Sequence, residues 1–449
     1  MCSHMMNRRN LLIAGATATA AVSSLSTSAL ALSAKDFGIK PNKPRDQTKK
    51  IQKAINAAIK SGGELHLPAG IYIAHGLTID AGVVLRGVGG LTRLVLSQPA
   101  DYLLAINNAT KVTLDGITFD GANNRLTSGD TGALVMATNT SDLTIENCYV
   151  QNSTENGIAL EKCSGRIVHS TIKKCGTGGI YSLDASGSGL EIGHNHVSDI
   201  GDNGIMVWQS KKRQDGTIVH HNHIEKIHGK SGGNGQYGNG VGIYRAGNVT
   251  VTGNRITDCQ FSAVRDNGGD NVIVTDNNCS RLNEVGIFIE FGFQGAIVSG
   301  NMVEKAGMGI SITNYNEGGR LAVCANNVVR DMLGAISNPD TQAIGIAVEA
   351  DTAVTGNTIE NAKRCGIWMG WGKYMRDVTA TGNVIRGCDI GVSASVVKGA
   401  KGVLIANNLI SGAVQSIAGM DHDKIITKDL ASARNKAPKG FMVTGNMVS

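Results

Sequence analysis

The chain has 449 residues, room for one to three domains and a large core. Glycine contributes 59 residues and proline 6, with 41% hydrophobic and 17% charged residues and a formal charge of +6. That balance excludes collagen, proline-rich disorder, coiled coils and helix bundles, and gives no reason to expect a nucleic-acid partner. Aromatics at 4% leave Val, Ile, Leu and Ala to build the core. Glycine among β-branched residues points to short strands joined by tight turns.

Arg8 and Arg9 precede an apolar, Ala- and Thr-rich stretch running to about Ala31, and Ala29-Leu30-Ala31 fits a small-x-small cleavage site. Residues 1–31 therefore read as a twin-arginine export signal, giving a periplasmic or secreted protein with no stable membrane span after its removal. Residues 32–449 read as one domain, with 32–70 as its cap. Asp46 to Lys60 places Ile51, Ala54, Ile55, Ala58 and Ile59 on one helical face, and Gly62 follows its end. Such a helix would seal the apolar end of a repeat stack.

From residue 147 onward the chain repeats. Phrases such as Thr252-Gly253-Asn254-Arg255-Ile256 and Thr355-Gly356-Asn357-Thr358-Ile359 recur, mostly 23 to 27 residues apart. The marker positions are Asn147, Ser170, Asn195, Asn222, Asn254, Asn277, Asn301, Asn326, Asn357, Asn383, Asn407 and Asn446. Asparagine suits a left-handed turn residue, and its amide can bond the amides of neighbouring turns. A Gly- or Ala-Ile/Val phrase follows most markers, as in Gly204-Ile205 and Gly366-Ile367. A repeat too short for a helical crossover winds into a parallel β-solenoid.

Eight cysteines, Cys148, Cys163, Cys175, Cys259, Cys279, Cys324, Cys365 and Cys388, recur in this rhythm without a CxxC pair and read as small buried hydrophobes. His194-Asn195-His196 and His221-Asn222-His223 flank successive markers, so their histidines pair one turn apart. They read as polar surface; metal and cofactor stay unknown at this level. Lys211–Gly216 reads as a basic hairpin-like loop, Gly229–Gly240 as a glycine-rich loop, and 416–440 as a charged loop or short helix.

Asp36-Phe37-Gly38, Ile51-Gln52-Lys53-Ala54-Ile55 and Gly62-Gly63-Glu64-Leu65-His66-Leu67-Pro68-Ala69-Gly70-Ile71-Tyr72 resemble the opening of pectate-lyase-like right-handed β-helix proteins. Val84-Leu85-Arg86-Gly87-Val88-Gly89 and Leu114-Asp115-Gly116-Ile117-Thr118-Phe119 continue the likeness. With its export signal the chain is also similar to twin-arginine-translocated β-helix repeat proteins. The resemblance implies an all-β, right-handed parallel β-helix with an N-terminal capping helix. It also implies polysaccharide lyases, polygalacturonase-type hydrolases, uronan epimerases or phage tailspikes without selecting among them. The Asn-Thr-Asp, Asp-Asp and Gly-His-Gly set of the hydrolases is absent, as are the Asp-Pro-His-Asp of the epimerases and a Glu-x-Glu before Arg245 and Arg265.

Aligned on the Gly-Ile phrase, the outward column collects Trp208, Tyr244, Arg265, Phe288, Glu290, Glu349 and Trp368, with Asp266, Arg245 and Tyr315 nearby. The register at Tyr244 is open, since Asn239-Gly240-Val241 also serves as the phrase. Trp208, Phe288, Tyr315 and Trp368 are expected to stack on sugar rings, with Arg245 assisting. Tyr244, Arg265, Glu290, Asp266 and Glu349 are the expected catalytic groups. The leading expectation is cleavage of an acidic polysaccharide by β-elimination, Arg265 neutralising a uronate and Tyr244 moving the proton. The alternatives are an inverting hydrolase using Glu290 and Glu349, a uronan epimerase, and a non-catalytic glycan-binding scaffold.

Overall fold

The computed structural model describes residues 31–129 and 131–449. The expected export segment lies outside them, apart from Ala31. Each turn lays one strand in a 16-stranded sheet and two in a 28-stranded sheet that bends around the coil. Among the described residues every pairing between strands is parallel except one hairpin, Met420 opposite Ile425 and Asp421 opposite Lys424. The molecule is an all-β parallel solenoid.

Period-2 alternation drives the winding. Ile158, Ile180, Ile205, Val241, Val264, Ile287 and Ile310 lie in register on successive turns and are buried. Each such residue contributes about 1.5–3 kcal/mol by leaving water. All eight cysteines are unpaired and buried, as expected of packed apolar slots. Burial alone pushes the Cys279 thiol up to about 12.

The cap helix spans Thr48–Ser61 and buries Ile51, Ala54, Ile55 and Ala58, while Gly62 closes it in the left-handed conformation at φ 64°. Its apolar face joins Leu65 and Leu67 in the core. No helix among the described residues covers the other end, where the strand Phe441–Thr444 leaves Met442 61% exposed.

The amide ladder is continuous, but its members differ from the expected ones at three positions. Asn195, Asn222, Asn254, Asn277, Asn301, Asn327, Asn357, Asn383 and Asn408 each donate Nδ2 to Oδ1 of the next member at 2.9–3.1 Å, the last acceptor being Asn446. Asn327 and Asn408 replace Asn326 and Asn407, and Cys148 occupies the slot expected of Asn147, its N–H donating to Ser170 Oγ. The left-handed residue is the one before each ladder member: Asn147, His169, His194, His221, Asp276, Asn326 and Asn407 have φ of 50–57°, and Gly253 and Gly300 share the conformation. In an Asn-Asn pair the first makes the turn and the second points in.

Two loop expectations also change. Lys211–Gln214 belongs to a strand, Ile205–Gln214, whose register shifts between Trp208 and Arg213, so the basic segment is a bulge. Residues 416–440 hold the Met420–Ile425 hairpin and turns with no helix.

Candidate functional site

The outward face of the third strand of each turn carries a groove. Strand register stacks Tyr181, Met206, Gly242, Arg265, Phe288, Ser311, Ala347 and Trp368 in one row. A second row holds Leu183, Trp208, Tyr244, Asn267 and Glu290. The phrase ending in Val241 is therefore the true one, and it puts Tyr244 beside Asn267, with Glu290 one turn further. Gly242 leaves open space where a side chain would fill the groove.

Two cavities share Trp208. One, of about 470 Å³, is lined by Tyr181, Asp202, Met206 and Tyr237; the other, of about 310 Å³, by Gln236, Gly242, Tyr244, Arg265 and Asn267. Gln236 and Tyr237 come from the glycine-rich loop, which walls the groove as a loop on a rigid scaffold can. Trp208 sits edge-on between Tyr181, at 5.4 Å, and Tyr244, at 5.7 Å. Arg245 extends over the Tyr244 ring at 4.7 Å and donates to Ser210 O at 3.3 Å.

Arg265 is already matched. Its Nε and Nη2 donate to both oxygens of Glu290 at 2.7 and 3.1 Å, and Nη1 donates to Glu284 at 3.4 Å. Side-chain exposures of 14% for Arg265, 4% for Glu290 and 2% for Glu284 make this a buried ion triad. Phe288 lies 5.1 Å beneath the guanidinium, and Gly235 presses on it so closely that a Cβ there would collide. Burial raises the Glu290 carboxyl, and its bonds to Arg265 offset only part of that rise. Asp266 does not join the groove. Strand alternation sets it between Ile243 and Ile289, facing inward and 0% exposed. Burial pushes its carboxyl well above the ordinary range, and Oδ1 accepts Gly269 N–H at 2.9 Å.

Further along, a cavity of about 510 Å³ is lined by Ser311, Thr313, Asp340, Gln342, Glu349, Trp368 and Trp371. Burial lifts the Glu349 carboxyl to about 7 against the pull of the backbone N–H groups of Tyr315 and Asn314. Tyr315 opens a short 3-10 turn, Tyr315–Glu317, and its hydroxyl accepts Arg376 Nη1 at 2.8 Å, so the ring is held rather than free. Trp368 was expected as an exposed platform. It is 4% exposed, its Nε1 donating to Gly370 O at 2.9 Å, and it forms wall instead. The exposed platform is Trp371, 41% exposed, stacked on Trp368 at 6.2 Å and 30°.

The structure thus brings together Trp208, Tyr244, Arg265, Phe288 and Glu290, and separately Glu349, Trp368 and Tyr315. Glu284, Asp340 and Trp371 were missed. Glu284 sits where a bulge between Leu282 and Val285 breaks the alternation, and the other two lie outside the repeat positions.

No curated protein matches the chain. Among solved structures it is similar to the mannuronan C-5 epimerase AlgE4 A-module of Azotobacter vinelandii, at 15% identity and TM-score 0.52, over 92% of this chain and 100% of that one. The Dettilon tailspike protein gives 16% and 0.52, over 84% and 66%. The GH87 α-1,3-glucanase catalytic unit of Streptomyces thermodiastaticus strain HF3-3 gives 16% and 0.50, over 93% and 68%. At such identities the likeness is one of fold. Matched over residues 77–224 and 211–385 and wound as the parallel strands require, the chain belongs to the right handed beta helix region family.

Proposed function

We propose that this protein binds a polysaccharide along the groove and hydrolyses a glycosidic bond in the Glu349 cavity. The observation that carries this is the placing of Glu349 on a cavity wall, where burial raises its carboxyl to about 7, so that it can donate a proton to a leaving sugar oxygen near neutral pH. Asp340, on the same cavity, supplies the second carboxylate, which takes the proton of the attacking water. Trp371 offers the ring face on which a sugar stacks.

A neutral glycan suits the groove better than an acidic one. Among the residues lining its three cavities Arg265 is the one cation, and two carboxylates hold it. The same pairing counts against β-elimination, which needs a cation free to neutralise a uronate. The arginine pair at the N-terminus supports placement outside the cytoplasm, and no helix among the described residues is long and apolar enough to cross a membrane.

The test is incubation with a panel of neutral and acidic polysaccharides, scoring reducing ends and unsaturated uronates together. Reducing ends without unsaturated product, lost in Glu349→Gln and Asp340→Asn, are expected. Unsaturated product would return the chemistry to Tyr244 and Arg265, and binding with unchanged chain length would make the protein a glycan-binding scaffold.

A further inference from the structure

Six of the 11 histidines, His169, His194, His196, His220, His221 and His223, gather on three successive turns. They lie at the corner between the 16-stranded sheet and the strands Thr171–Cys175, His196–Ile200 and His223–Ile227, away from the strands that carry the groove.

The backbone builds this cluster. Alternation along a strand would send His220 and His221 to opposite faces. His221 is left-handed at φ 50°, which bends the chain so that both imidazoles project from the same side. Their Nδ1 atoms lie 3.1 Å apart. His194, left-handed one turn earlier, stacks on His221 at 5.1 Å and meets His220 edge-on at 5.2 Å. One ring nitrogen from each of the three lies within 4.8 Å of the others. Gly193 makes the room, since a Cβ there would collide with the His220 ring. The far nitrogen of His220, Nε2, meets Glu191 Oε1 at 3.2 Å.

We propose that His194, His220 and His221 bind a borderline divalent transition metal of the Zn²⁺ class, stapling two turns of the coil. Zinc held tetrahedrally by imidazole at 2.0–2.1 Å sets ligand nitrogens about 3.3 Å apart, close to the His220–His221 spacing. Glu191 then does what a carboxylate behind a metal-bound imidazole does, fixing the ring and its tautomer. Imidazole donors select Zn²⁺ or Ni²⁺ over Mg²⁺ and Ca²⁺.

The test uses the full chain purified without an affinity tag, stripped with a chelator and titrated calorimetrically with Zn²⁺, with melting measured in parallel. Zn²⁺ should bind at the corner and raise Tm, while Mg²⁺ does neither. His220→Ala with His221→Ala should abolish that binding and the Tm rise, and Glu191→Gln should weaken affinity about tenfold. His196→Ala, at the neighbouring His196–His223 stack, should leave both in place. His194→Asn, at an exposed position, gives an independent reading if the double variant melts early. Absence of Zn²⁺ binding, a Tm rise that survives loss of His220 and His221, or an equal response to Mg²⁺ would overturn the proposal.

Discussion

Oε2 of Glu349 accepts the backbone N–H of Tyr315 at 2.6 Å, so the carboxyl proposed as the proton donor is aimed by the turn before it. A glutamine can keep that bond but has no proton to give. Glu349→Gln should therefore lower turnover by about 10²-fold or more. In the native protein kcat/KM should fall as pH rises through about 7, because the active form is protonated. Reducing-end rates on either side of that value check it; a flat profile there would count against Glu349 as the acid.

Stability should carry the same signature. The folded-state value of Glu349, about 7, stands above its ordinary 4.5. Its contribution is complete below 4.5 and is lost as pH rises through 7. Glu349→Gln should match the native protein in acid and exceed it by roughly 3 kcal/mol above neutrality. Urea denaturation at both extremes measures this, and parallel curves would refute it.

Arg265 was expected as a catalytic group, but its place between Glu284 and Glu290 makes it part of what holds the fold. Arg265→Ala should cost about 3–5 kcal/mol, because two buried carboxylates lose their counter-charge. Adding Glu290→Gln should recover part of the loss, a non-additivity that a double-mutant cycle reads directly.

For the ladder, Asn277→Ala strands several groups at once. Asn277 Oδ1 accepts both N and Nδ2 of Asn254, and its Nδ2 serves Val251 O and Asn301 Oδ1. A destabilisation of about 2–4 kcal/mol is expected, with activity retained, and differential scanning calorimetry beside a reducing-end assay tests both halves.

The winding was legible because one face of every strand is apolar and the Gly-Ile phrase marks the same strand each turn. Cap, core columns and cysteine slots followed from that. Asn326 and Asn407 show the limit: with two asparagines in a row, only backbone conformation tells the turn-maker from the ladder member. Asp266 illustrates another, since a carboxylate beside an outward arginine looks functional until alternation turns it inward. Arg265 was placed correctly on the groove, yet its neutralisation depended on Glu284, which no column predicts. Asp340 and Trp371 belong to segments that the repeat does not position.

Among the described residues the strands of each turn pair only with those of the turns before and after it, and helix Thr48–Ser61 covers one end. Pulled by its C-terminus, such a coil unzips rung by rung rather than rupturing at once. The rungs bearing Cys365–Met369 and Ile344–Val348, which shape the Glu349 cavity, peel away before those holding Trp208. Tension from that end would therefore dismantle the Glu349 cavity while the upstream half of the groove still stands.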